Sequence, residues 1–219
     1  LAAALAGKWL EDVGPRCVGV TAACLWGGGF IVGGLGILTH QLWLIYLGYG
    51  VLGGCGLGLG YVSPVSTLIR WFPDRRGMAT GMAIMGFGGG AMIGAPLKRF
   101  LLEYYAKAPE YLGLESTISL ITDGGRRFAE VAGEKVEVVV ASASEAAKMA
   151  IPGDPGVYIV GTGNTGAAGA FFTLGAVYFI VMMIAAFQYR VPAKDWKPEG
   201  YSPPSKDESA TKMKTLNNV

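Results

Sequence analysis

Apolar residues in this chain fall in long unbroken runs rather than along one face of short elements. No Asp, Glu, Lys or Arg interrupts the sequence from Cys17 to Leu38, from Leu42 to Leu68, from Met78 to Leu97, or from Ala168 to Tyr189. About 20 predominantly apolar residues are what a helix needs to cross the hydrocarbon of a bilayer. The pattern therefore predicts four complete membrane helices in an all-α membrane protein.

The polar positions divide the chain between these runs. His40 and Gln41 make a tight turn after the first run, and RWFPDRRG at Arg70–Gly77 makes a basic turn after the second. The long stretch from Lys98 to Ala167 is mixed. Phe100 to Tyr111 reads as a continuing amphipathic helix, Phe128 to Val140 carries the β-branched KVEVVV, Glu145 to Ala150 reads as helix, and GVYIV from Gly156 reads as a short strand. Structureless loops beyond about 15 residues are uncommon in compact domains, so a small mixed cap is expected there. The tail from Val191, with PPSKDESATK, has little apolar content and reads as a flexible connector. LAAALAG at the start reads as the tail of an earlier helix, and the chain is expected to be a fragment. No basic region precedes that stretch, as a signal peptide would require. The organisation predicted is membrane helices over 1–97, an insertion over 98–167, a last helix over 168–189 and a connector over 190–219.

Composition agrees with a membrane protein. Charged residues are 16% of the chain, well under the ~25% of soluble domains, and mean hydropathy is +0.41. A net charge of +2 gives no footprint for nucleic acid. Lys8 and Arg16, then Arg70, Arg75 and Arg76, then Arg190, Lys194 and Lys197 fall on one side if every run crosses once. Short basic loops stay cytoplasmic, so the segment 98–167 is expected outside. Asp74, the single acid of the second basic turn, is placed to organise its arginines.

Gly accounts for 35 of 219 residues, and most lie inside the apolar runs, where small residues let helix backbones approach. Gly50, Gly54 and Gly58 repeat at four-residue spacing, as do Gly86, Gly90 and Gly94, with a further pair at Gly29 and Gly33. Static packing and conformational exchange are both compatible with such faces. Cys17, Cys24 and Cys55 lie in apolar runs with no CxxC spacing and no nearby His, which gives no metal set.

The runs themselves hold no charged side chain. The second offers only Tyr46, Tyr49, Tyr61, Ser63, Ser66 and Thr67 as polar groups. An ionisable residue inside the membrane is the usual mark of an ion or proton site. GTGNTG at Gly161–Gly166 has the spacing of a dinucleotide turn, but the helix after it is a membrane run and no acid follows at the ribose distance. His40 is the only histidine, and no hydrolytic or metal motif is present. A membrane-tethered enzyme using Gly161–Gly166 is thus the weaker alternative, and no cofactor is expected.

GKWLEDVGPR at Gly7–Arg16, RWFPDRRG at Arg70–Gly77 and the following ATGMAIMGFGGGAMIGAP resemble the oxalate/formate antiporter branch of the major facilitator superfamily. That resemblance implies a twelve-helix transporter of two six-helix halves, multi-pass in a bacterial inner or a eukaryotic cellular membrane. This chain would hold the end of helix 2 and helices 3 to 6, with the missing C-terminal half as its partner and a small carboxylate such as oxalate, formate, lactate or pyruvate as substrate. It further implies a gating loop in which Gly7, Gly14 and Arg16 match the family's form. Glu11 takes the acid position and Asp12 stands where the family has Arg, which weakens the expected latch. By the same resemblance helix 4 lines the cavity, making Tyr46, Tyr49, Gly53 and Gly56 the candidate substrate contacts. The cation that balances the substrate would come from the second half. A membrane scaffold or channel without alternating access is the other alternative.

Overall fold

The computed structural model describes residues 2–131, 133–193, 196 and 198. Lys194, Lys197 and the connector from 199 onward lie outside the described residues. The helix α1 (Ala2–Val13) is separated from α2 (Pro15–Leu38) by Gly14, whose φ of 88° is a conformation that side chains disfavour. Pro15 then opens α2, where its missing N–H costs nothing. α2 ends at Leu38, and the turn after it passes through His40 at φ 54°, with the Gln41 N–H donating to the Gly36 carbonyl at 2.9 Å and the His40 N–H to that of Ile37 at 3.3 Å. These two bonds satisfy carbonyls that the last turn leaves free.

The second apolar run forms one continuous helix over Leu42–Trp71. It begins as α3 (Leu42–Ile45), widens into a π-helical stretch over Tyr46–Gly53, and continues as α4 (Gly54–Trp71). α5 (Arg76–Tyr105) is 30 residues long, eight past the point where the unbroken apolar run stops at Leu97. α7 (Ala167–Gln188) is the last span. All four spans are long and apolar enough to cross a membrane.

α2 is the centre of the bundle. In its most apolar window 44% of the residues are buried, against 6% in that of α5. α7 packs antiparallel along α2, with Gly19 against Tyr189, Gly27 against Phe179 and Gly34 against Phe172. One core patch joins Leu10, Val18, Ala22 and Leu59, and a second joins Phe30, Leu101, Ala170 and Leu174.

Between α5 and α7 the chain leaves the bundle and returns. β1 (Ala106–Lys107) pairs antiparallel with β7 (Asn164–Thr165), closing the base of the excursion. Beyond this clasp lie β2 (Tyr111–Gly113), β3 (Leu120–Asp123), β4 (Arg126–Val131), β5 (Glu134–Ala141) and β6 (Gly156–Ile159), in the sheet order β2-β6-β5-β4-β3. Gly124 and Gly125, both at positive φ, form the two-residue turn that matches the twist of β3 and β4. Along β5, Val136, Val138 and Val140 pack into the sheet core while Val139 is exposed, the two-residue period of a half-buried strand. Ser142 and Glu145 cap the short α6 (Ala143–Ala146), and the Ser142 hydroxyl and backbone N–H hold the Glu145 carboxyl below its usual range.

Two local expectations are corrected. The amphipathic helix expected to Tyr111 stops at Tyr105, because Ala106 turns extended to pair with Thr165. The helix expected over Glu145–Ala150 is the single turn Ala143–Ala146.

Candidate functional site

Aromatic residues gather where α2, the π-helical stretch, α5 and α7 meet. Trp26 stands edge-on to Phe30 at 5.1 Å, and Phe30 is edge-on to Tyr49 at 5.3 Å and to Tyr178 at 5.4 Å. Phe171 closes the cluster at 5.2 Å from Phe30 and 5.7 Å from Tyr49. Edge-to-face contacts of this kind favour a fixed arrangement of rings. Two cavities border the cluster. The larger, about 500 Å³, lies between Trp26, Leu57, Phe87, Gly94, Lys98 and Tyr178. The smaller, about 140 Å³, is bounded by Phe30, Tyr49, Lys98, Leu102 and Phe171. Lys98 lines both, and it is the one charged residue among those lining them.

The residues predicted to line a cavity separate. Tyr49 lines the smaller cavity, whereas Tyr46 on the preceding turn is 66% exposed and borders neither. Gly56 is a contact residue: a Cβ there would stand 2.6 Å from the Trp26 backbone nitrogen. Gly53 lies against the Trp26 ring, 3.7 Å from where its Cβ would be. The π turn is the physical reason. It adds a residue to a turn and rotates every face after it, so spacing at 3.6 residues does not carry across Tyr46–Gly53.

The close helix contacts also take another register. Gly29 and Gly33 meet Gly48, not Gly50, and Gly56 meets Trp26. Gly50, Gly54, Gly86 and Gly90 have nothing within 4 Å of where a Cβ would be, Gly58 is half-buried, and a Cβ on Gly94 would stand 3.7 Å from the Tyr178 hydroxyl. Sequence reasoning missed Trp26, Phe30, Phe171, Tyr178 and Lys98. The continuing helix read from Phe100 onward carries α5 past Lys98, and the position of Lys98 beside the cavities comes from the packing of α5 in the bundle.

Residues 1–114 match the Major Facilitator Superfamily. The chain belongs to that superfamily. Among curated relatives, it is 32% identical over 106 residues to apicoplast pyruvate carrier 1 of Toxoplasma gondii, covering 47% of this chain and 19% of that protein. It is 31% identical over 105 residues to monocarboxylate transporter 9 of Rattus norvegicus, covering 48% of this chain and 20% of that one. It is also 33% identical over 92 residues to the uncharacterised transporter YhjX of Escherichia coli, covering 42% and 22%. The chain therefore spans about a fifth of the length of these relatives.

In this superfamily member the basic flanks meet at one end of the bundle. Arg16 donates through Nε to the Tyr189 carbonyl at 2.7 Å, and Trp71 donates its indole N–H to the Arg190 carbonyl at 2.8 Å. Glu11 and Asp12 are exposed on the last turn of α1, and Gly7 has nothing within 4 Å of where a Cβ would be. Asp74 reaches Arg75 at 3.5 Å, while Arg70, Arg76 and Gly77 are exposed. Among the described residues no other ion pair joins this turn, so Asp74 does not gather its three arginines as expected.

The glycine-rich turn at Gly161–Gly166 is filled by protein. Gly163 packs on Pro109, and Gly166 lies against the Leu102 carbonyl and the Ala106 nitrogen at the start of α7. Every strand pair among the described residues is antiparallel, so the βαβ unit of a dinucleotide site is absent among them.

Proposed function

We propose that the whole protein is a secondary carrier of small organic anions, mono- or dicarboxylates such as pyruvate, lactate, formate or oxalate. It works by alternating access, with this chain forming part of one half of a twelve-helix carrier. The observation that carries the reading is the identity of about a third, over nearly half of this chain, to proteins named for pyruvate and monocarboxylate transport. The motifs RWFPDRRG and ATG support the finer assignment to the oxalate/formate antiporter branch.

Three features of the chain suit that role. The basic turns support a cytoplasmic position for the end that carries Arg16, Arg75 and Arg190, with the sheet outside. The aromatic cavities give a small carboxylate's carbon skeleton an apolar wall. The backbone contacts of Gly29, Gly48 and Gly56 bring α2 and the second span together without interlocking side chains.

Ligand-dependent stability tests the substrate class. A ligand that binds only the folded carrier raises its melting temperature by mass action. Purified whole carrier should melt higher with millimolar pyruvate, lactate, formate or oxalate than with glycerol or glucose. Stabilisation by a neutral or cationic solute alone would refute the reading.

A further inference from the structure

An apolar run that ends before Lys98 places every cation of the substrate site elsewhere, yet α5 continues through Lys98 to Tyr105. At 1.5 Å per residue, Lys98 lies about 33 Å along α5 from Arg76, close to the far boundary of the hydrocarbon. Lys98 is exposed and lines both the larger cavity, with Tyr178, and the smaller cavity, with Tyr49.

No acid neutralises it. Among the described residues Lys98 forms no ion pair, and Glu103, the nearest acid in sequence, is held by Arg99 at 2.9 Å. The Tyr178 hydroxyl lies 3.7 Å from the Cβ position of Gly94, one helical turn before Lys98 on the same face. Neither the Tyr178 nor the Tyr49 hydroxyl is bonded to a side chain or backbone group among the described residues, although the Tyr105 hydroxyl, at the end of the helix that carries Lys98, is bonded to Thr173 at 2.9 Å.

We infer that Lys98 is the carboxylate-binding cation contributed by this half, with the Tyr178 hydroxyl donating to the same carboxylate and the ring cluster of Trp26 and Phe30 receiving its carbon skeleton. The inference rests on the carboxylate-carrier reading and deepens it by naming the group that neutralises the anion. A substrate carboxylate here gains a charge-assisted bond from an ammonium that has no internal partner to give up. Lys98 sits at the mouth of the site on the side of the sheet. The pairing forms when the cavity is open to that side.

The test is counterflow of labelled pyruvate by the whole carrier in proteoliposomes, comparing wild type with Lys98→Gln, Lys98→Arg and Tyr178→Phe. Each variant is first checked for its ligand-free melting temperature. Lys98→Gln should raise the half-saturating pyruvate concentration roughly tenfold or more, in line with a bond to a charged group. Lys98→Arg should restore most of the affinity, and Tyr178→Phe should weaken it severalfold. Lys98→Gln and Lys98→Arg should also differ in pyruvate-dependent stabilisation while melting alike without ligand, a contrast that a folding defect does not produce. A wild-type half-saturation in Lys98→Gln would show a lysine that only anchors the helix at the membrane surface, and would overturn the inference while leaving the carrier reading intact. Absence of carboxylate counterflow in wild type would overturn both.

Discussion

A Cβ on Gly29 would stand 2.7 Å from the carbonyl oxygen of Gly48, and a Cβ on Gly48 would stand 2.9 Å from that of Gly29. The two backbones touch with nothing between them, which pins α2 to the π-helical stretch. Gly29→Ala and Gly48→Ala should each destabilise the protein by about 1–3 kcal/mol, the cost of overpacking a fixed contact. Gly28→Ala, whose Cβ would meet nothing within 4 Å, is the internal control. Equal melting temperatures for Gly28→Ala and Gly29→Ala in detergent would contradict the contact.

Trp71 ties the end of α4 to the segment after α7 through its indole N–H, and its ring is edge-on to Trp196 at 5.1 Å. Trp71→Phe keeps an aromatic ring and removes one donor, a loss of about 0.5–1.5 kcal/mol. The Arg190–Val191 segment should then open more often. A cysteine at Val191 should react faster with thiol reagent in the Trp71→Phe background, and an unchanged rate would show that the bond holds nothing.

If short basic loops stay cytoplasmic, Glu11 is expected in the cytoplasm and Glu137 outside. Single cysteines at these positions, with Cys17, Cys24 and Cys55 replaced, should differ in labelling by an impermeant reagent added to intact cells. Glu137→Cys should label and Glu11→Cys should not. Labelling of both would reverse the orientation.

Tyr49 lines the smaller cavity while its ring is held by Phe30 and Phe171. Tyr49→Phe preserves those ring contacts and removes a donor. Substrate affinity should fall by the equivalent of one net hydrogen bond, about 0.5–1.5 kcal/mol, with transport retained. Loss of all transport would assign Tyr49 a larger role, and no change would remove it from the site.

The membrane helices were legible because an unbroken apolar run has few other uses, and the runs around Phe30, Tyr61, Met85 and Tyr178 each became a span. KVEVVV was legible for the same kind of reason, since Val136, Val138 and Val140 alternate with residues that face away from the core. Faces within the second span were not. The assumption of 3.6 residues per turn fails at the π-helical Tyr46–Gly53, so Gly53 and Gly56 were assigned to a cavity and instead support α2. The helix past Lys98 was legible in Phe100–Tyr111, but no local pattern shows that Lys98 borders the cavities beside Tyr49 and Tyr178. The clasp of Ala106 with Thr165 joins two-residue strands about sixty positions apart, and no local pattern marks so short a pair.

The central claim is carriage of a small carboxylate, and counterflow measures it most directly. Proteoliposomes holding the whole protein and loaded with unlabelled anion should take up labelled formate, oxalate, lactate or pyruvate against its gradient, and the uptake should vanish without internal anion. Uptake of a neutral or cationic solute with none of the four anions would contradict the account.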